Sequence, residues 1–216
     1  MSSVVFICNL ALSNIGKQNI SSLTEDSAEA RACSQFYAHA RDTLLQAYPW
    51  RWAQKTLSMA EVANNKENRW DHAYQRPSDC LKIRRVVDEL MVDYVPYELR
   101  AVKAGGFDYA VEGSIIYTNL TPAYLEYTAR IEDPTLFPPL FQDALSWHLA
   151  VRLSMPLTRD PKIRADAYQL ATQVQAEAAA ADANEVREVS DYAAEMIEAR
   201  DPEYLTDRIL RVTTSV

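Results

Sequence analysis

The sequence predicts an α+β protein: a four-helix bundle, a small antiparallel β region inserted between helices two and three, and an extended C-terminal tail. Three observations carry that expectation. Apolar residues recur at helical spacing over about residues 3–15, 24–47, 139–155 and 161–182. β-Branched and aromatic residues, broken by turn signals, fill about 50–131. Beyond about Glu185 the apolar density falls too low to build a core. Residues 1–184 therefore read as one folded body and 185–216 as a tail.

In the first helix Val5, Cys8, Leu12 and Ile15 draw one apolar stripe, and Gly16 stands where a left-handed residue would end it. Ser22 and Glu25 have the spacing of a capping box for the second helix. Its apolar face is Cys33, Phe36, Ala40, Leu44 and Ala47, and Tyr48-Pro49 stops it, because proline disfavours helical geometry at the residue before it.

The period then changes. Val86, Val87, Val92, Tyr94, Val95 and Tyr97 favour strands, as do Ile115–Tyr117 and Tyr124, Leu125, Tyr127 and Ile131. Gly105-Gly106, Glu112-Gly113-Ser114 and Asn119–Pro122 separate them, which suggests three to five short antiparallel strands. Pro138-Pro139 opens a third helix that is apolar over much of its circumference, from Leu140 to Leu153, and so belongs at the centre of the bundle. Asp160-Pro161 is a cap followed by proline at the first helical position, and Ile163, Ala167, Leu170 and Val174 form the stripe of the fourth helix.

The tail holds eight acidic residues against four arginines, a net of −4, half of the −8 carried by all 216 residues. It nevertheless keeps Tyr192, Met196, Ile197, Tyr204, Leu205, Ile209 and Leu210. These seven are the candidate partner-binding residues: anchors that a mere linker would not need, in a segment expected to order on a partner. Twelve tyrosines against five phenylalanines point the same way, toward surfaces part apolar and part wet.

Composition excludes several function classes. A net charge of −8 with no basic stripe argues against a sequence-specific DNA binder. Lys82, Arg84 and Arg85, interleaved with Ile83 and Val86, read as the solvated face of a strand. The same acidity would suit a channel wall that must not hold passing phosphates. Cys8, Cys33 and Cys80 form no CxxC, and His39, His72 and His148 are scattered, so no metal or cofactor is expected. The opening Met1-Ser2-Ser3 has no basic leader and no apolar run reaches ~18 residues, so neither secretion nor membrane insertion is expected.

Catalytic signatures are missing as well: there is no GxGxxG, no GxxxxGK[ST] and no GxSxG. Asp71-His72 is the one adjacent acid–histidine pair, and neighbours on a strand point to opposite faces. His148 sits in the most apolar helix, where a hydrogen-bonded core histidine is the simpler reading than a base. The expectation is a protein that is not an enzyme.

Three local patterns remain. The first is Asn9-Leu10-Ala11-Leu12-Ser13-Asn14-Ile15-Gly16 followed by Ile20-Ser21-Ser22-Leu23. The second is Arg41-Asp42 with Leu44-Leu45, closed by Pro49-Trp50-Arg51-Trp52-Ala53. The third is Trp70 and Tyr74 followed by Arg76-Pro77-Ser78-Asp79-Cys80-Leu81. In this order, across most of residues 1–182, the chain resembles the head-to-tail adaptors of short-tailed phages, the group of the tail tubular protein A subunits.

The resemblance implies a structural virion protein: a ring of about twelve copies, docked beneath the portal and above the rest of the tail, closing the head-to-tail channel. Its partners would be the portal protein, a distal tail or nozzle protein and further copies of itself, with genomic DNA only as passing cargo during ejection. Its place would be the neck of the virion, after assembly in the host cytoplasm. Members of this group look like helical bundles with a β-rich portion and a C-terminal segment that reaches the portal, a role residues 185–216 match in position and composition. The other function class open to such a chain is a free-standing helical interaction module that captures a partner with its tail.

Overall fold

A computed structural model describes residues 3–89 and 106–185 of the chain. The chain divides into a unit of residues Met1–Ala183 and a second of Asn184–Val216, of which only Asn184 and Glu185 are described.

Helix α1, Val4–Asn14, starts at Ser3, whose Oγ accepts from Phe6 N at 3.1 Å. It ends at Gly16, with φ +68°. There Gly16 N donates to Ser13 O (3.0 Å) and Lys17 N to Leu12 O (2.9 Å), the paired bonds that satisfy the last carbonyls of a helix.

Helix α2, Ala28–Ala47, starts later than the capping-box spacing suggests. The Glu25 carboxylate turns back to accept from Ser21 N and Ser21 Oγ, both at 3.0 Å, so it is consumed in a local turn. Ser27 caps the helix instead, accepting from Ala30 N at 3.1 Å. At the far end Tyr48 is extended, as a residue before proline prefers. Helices α3, Pro139–Thr158, and α4, Pro161–Asn184, meet at a turn where Asp160 Oδ1 accepts from Lys162 N at 2.8 Å.

These helices do not make the expected four-helix bundle with a small inserted β region; among the described residues the chain forms four α-helices beside two three-stranded antiparallel sheets. Helix α3 lies against α1 and α2 and buries Phe141, Leu145, Leu149 and Leu153 between them. Helix α4 buries only Ala167, Ala171, Ala178 and Asp182, a stripe too small to fill a quarter of a bundle, and Tyr168 stands 66% exposed.

The β part is no minor insertion either. Strands β1 (Gln54–Ser58), β6 (Tyr124–Ala129) and β3 (Cys80–Val87) form one sheet in the order β1-β6-β3. Strands β2 (His72–Gln75), β5 (Ile115–Thr118) and β4 (Tyr109–Glu112) form the other, in the order β2-β5-β4. Antiparallel bridges join the sheets on both flanks, Glu61 with Tyr74 and Val86 with Phe107. Six strands therefore run in one cycle around a second core that includes Met59, Tyr74, Val86, Ile116, Leu125 and Tyr127. Gly106 is required at one seam: its φ is +69°, and a Cβ there would stand 2.8 Å from Arg85 Cβ and 2.9 Å from Val86 O. The strand-like run at Val92, Tyr94, Val95 and Tyr97 lies outside the described residues.

Trp50 sits where the helices hand the chain to the sheets. It is 1% exposed, its Nε1 donates to Leu44 O at 2.9 Å, and its ring meets Tyr48 and Phe141 edge-on at 5.0 and 5.1 Å. Trp52 extends this cluster to Phe137 and Phe141, with centroids at 5.6 and 4.8 Å. Between them Arg51 N donates to both carboxylate oxygens of Asp182, at 3.2 and 3.0 Å, which ties the end of α4 to the same joint. Replacing Trp50 with alanine should lower unfolding free energy by ~3–5 kcal/mol in urea denaturation. A loss below ~1 kcal/mol would mean the joint is not a keystone.

Candidate functional site

Residues of the three resemblance patterns are the joints of the fold. Asn9 Nδ2 donates to Ile20 O (3.0 Å) and its Oδ1 accepts from Ile20 N (2.8 Å), a two-point clamp between α1 and the following loop. Asn14 Nδ2 reaches Ser146 Oγ on α3 at 3.2 Å. Arg41, only 7% exposed, donates through Nε to Asp42 (2.8 Å) and pairs with Glu132 (3.8 Å), while Arg130 pairs with Asp42 at 3.2 Å. This network fastens α2 to the chain leaving β6.

The Arg76–Leu81 run does the same for the sheets. Arg76 Nη2 donates to Cys80 O at 2.7 Å, and Asp79 accepts from Lys55 Nζ (2.8 Å) on β1 and Tyr127 Oη (3.0 Å) on β6. Burial alone would raise the Asp79 pKa; the bonds from Lys55 and Tyr127 outweigh it and hold the carboxyl below its ordinary value. The same burial, with the bond to Asp79, pushes the Tyr127 phenol up to about 12.

Lys82 is exposed, as the alternation suggests, whereas Arg84 is half-buried. Lys82 Nζ donates to Gln46 O (3.4 Å) and Arg84 Nη2 to Tyr48 O (2.7 Å), so two cations meet the carbonyl end of α2. Arg85 instead pairs with Glu126 at 2.5 Å. Alternation of charge with apolar residues specified the strand but not the helix end packed on it.

The cysteines and histidines lie apart from one another, save for Cys8 and Cys33. The three cysteines are free and buried; Cys8 hydrogen-bonds Cys33, and that bond together with burial keeps the Cys8 thiol well above its ordinary pKa. His39 is exposed on α2. His72 has its acid partner not in Asp71 but in Glu61, at 2.8 Å across the seam between the sheets, a pairing eleven residues apart that no local motif announces. His148 Nε2 meets Gln175 Oε1 on α4 at 2.7 Å. Among the described residues no three His, Cys, Asp or Glu side chains are placed to hold a metal ion. None of the described helices is long and apolar enough to cross a membrane.

Exposed apolar side chains on the described surface are spread over several elements, Phe6, Met155, Tyr168 and Leu170 among them. Leu136 (60% exposed) and Leu140 (47%) flank the buried Phe137 at the start of α3. Leu57 on β1 and Tyr109 and Val111 on β4 are also exposed. The seven tail anchors expected from sequence, Tyr192, Met196, Ile197, Tyr204, Leu205, Ile209 and Leu210, all lie outside the described residues. No protein-family model matches the chain, and no curated protein matches it significantly.

Burial lowers the pKa of His148, with Arg152 adding to the effect and the bond to Gln175 opposing it. The unfolded chain then takes up a proton on acidification before the native protein does, so the stability it contributes is lost as pH falls through about 6.5. Urea unfolding between about pH 7 and 5 should show that decline. His148→Gln should flatten it, and an unchanged slope would remove His148 as its source.

Proposed function

We propose that this protein is a structural, non-enzymatic adaptor of a short-tailed phage, assembling as a ring between portal and tail. The observation that carries this reading is the ordered set of three patterns, from Asn9–Leu23 through Arg41–Ala53 to Trp70–Leu81. Its support gains weight from where those residues lie, since Asn9, Asn14, Asp42, Trp50 and Asp79 each join separate parts of the fold. A set of side chains that locks the architecture is what distant members of one structural family would have in common.

Residues 185–216 supply the portal contact through Tyr192, Met196, Ile197, Tyr204, Leu205, Ile209 and Leu210. An acidic segment with spaced apolar anchors binds by ordering on its partner, at a cost of roughly 2–5 kcal/mol. Repetition round a ring offsets weak single contacts, because each docked copy raises the effective concentration of its neighbours' tails at the portal. The distal face of the ring would receive the next tail component, and the acidic balance would let DNA slide past.

Removing residues 185–216 should abolish co-sedimentation with a purified portal assembly while leaving the melting temperature of the remaining chain unchanged. Full retention of portal binding by the shortened chain would overturn the assignment of the tail.

A further inference from the structure

We infer that copies of this protein associate head to tail through their β edges, β1 of one copy pairing with β4 of the next. The inference deepens the ring reading above and rests on it. Strand β1 is one of the two outer strands of the first sheet, and all five of its residues are exposed. Met59 N donates to Ala123 O at 3.0 Å, which sets the alternation of the ladder: Leu57 and Lys55 also turn their backbone groups toward β6. The amides and carbonyls of Gln54, Thr56 and Ser58 therefore point away from the sheet.

Strand β4 repeats the situation at the other end. It is one of the two outer strands of the second sheet, joined to β5 through the tight turn at Gly113-Ser114. Phe107 N uses the outward side to reach Val86 O at 2.8 Å, and by the same alternation Tyr109 and Val111 direct their backbone groups outward too. Round the cycle β1-β6-β3-β4-β5-β2 these two strands stand three places apart, and beyond the bridges at Glu61 and Phe107 their outward backbone groups meet no strand among the described residues. Each also shows an apolar side chain that continues the inner face of its sheet: Leu57 pairs with Leu125, and Val111 with Ile116, both fully buried.

Charge selects the partner. From Pro49 to Ala60 the chain carries Arg51 and Lys55 and no acid; from Gly106 to Thr118 it carries Asp108 and Glu112 and no base. Lys55 is shared with Asp79 and Glu112 with Lys66, whereas Arg51 and Asp108 have no ion pair among the described residues. β1 against β1 would set like charges together, and β1 against β4 sets opposite ones. Long-lived bare edges are a liability that proteins usually blunt, and pairing with a second copy satisfies both at once. Such a contact uses different surfaces on the two partners, so it propagates from copy to copy and gives a ring where the rotation between copies closes.

Cysteine cross-linking of the full chain tests this, since the native thiols are buried. A short bis-maleimide should link Thr56→Cys to Val111→Cys when the two variants are mixed, alone or on a portal, and should link neither variant to itself. Thr56→Pro removes an amide that bonds nothing in the sheet, so it should abolish the cross-link and leave the melting temperature unchanged. Cross-linking of Thr56→Cys to itself, or none in the mixture, would overturn the β1–β4 contact. Rings on a portal without the cross-link would sink this inference and spare the adaptor reading. The cross-link without rings on a portal would do the reverse.

Discussion

The burial of Trp50 is the constraint on which the rest of the structure depends. Its indole N–H caps a carbonyl of the last turn of α2, its ring locks against Phe141 at the head of α3, and the next residue is held by Asp182 from the end of α4. Three helices are thus referenced to one point, and from that point the chain runs directly into β1. An indole suits the place because it fills a large apolar volume and still supplies one donor for a carbonyl that would otherwise be orphaned.

From this joint the molecule divides its apolar residues between two cores rather than one. The helical core forms where α3, apolar on most sides, is covered by α1 and α2. The β core forms inside the six-strand cycle, and its faces meet the helices through α2, whose carbonyl end receives Lys82 and Arg84 from β3. Polar residues at the boundary, Arg41, Asp42, Arg130 and Glu132, fix how the chain returns from sheet to helix. A body fastened this way holds its described helices and strands in fixed relative directions.

How far the sequence discloses this varies with the physics of each element. Helix α1 is legible because both ends are written in local chemistry, Ser3 and Gly16. The start of α2 is not, since two serine–glutamate arrangements compete and only the three-dimensional turn decides that Glu25 serves Ser21. Strands β1 and β2 escape notice because Gln54–Ser58 and His72–Gln75 are short and largely polar, and edge position removes the alternation that marks a strand. Helix α4 looks like a bundle helix by periodicity, yet its buried stripe is alanine, so spacing alone misstates its packing. The joint residues were visible as patterns, but some of their contacts, such as Asn14 with Ser146 and Arg51 with Asp182, span over a hundred positions and leave no local trace.

The tail anchors and the ring meet in one measurement. Full-length protein would be mixed with portal assemblies of a short-tailed phage and imaged by electron microscopy, beside the protein alone. The expected result is a ring seated on the portal, with the segment after Glu185 ordered against the portal in the mixture. Portals that stay bare at saturating protein, with no ring in any class of particle, would contradict the adaptor reading.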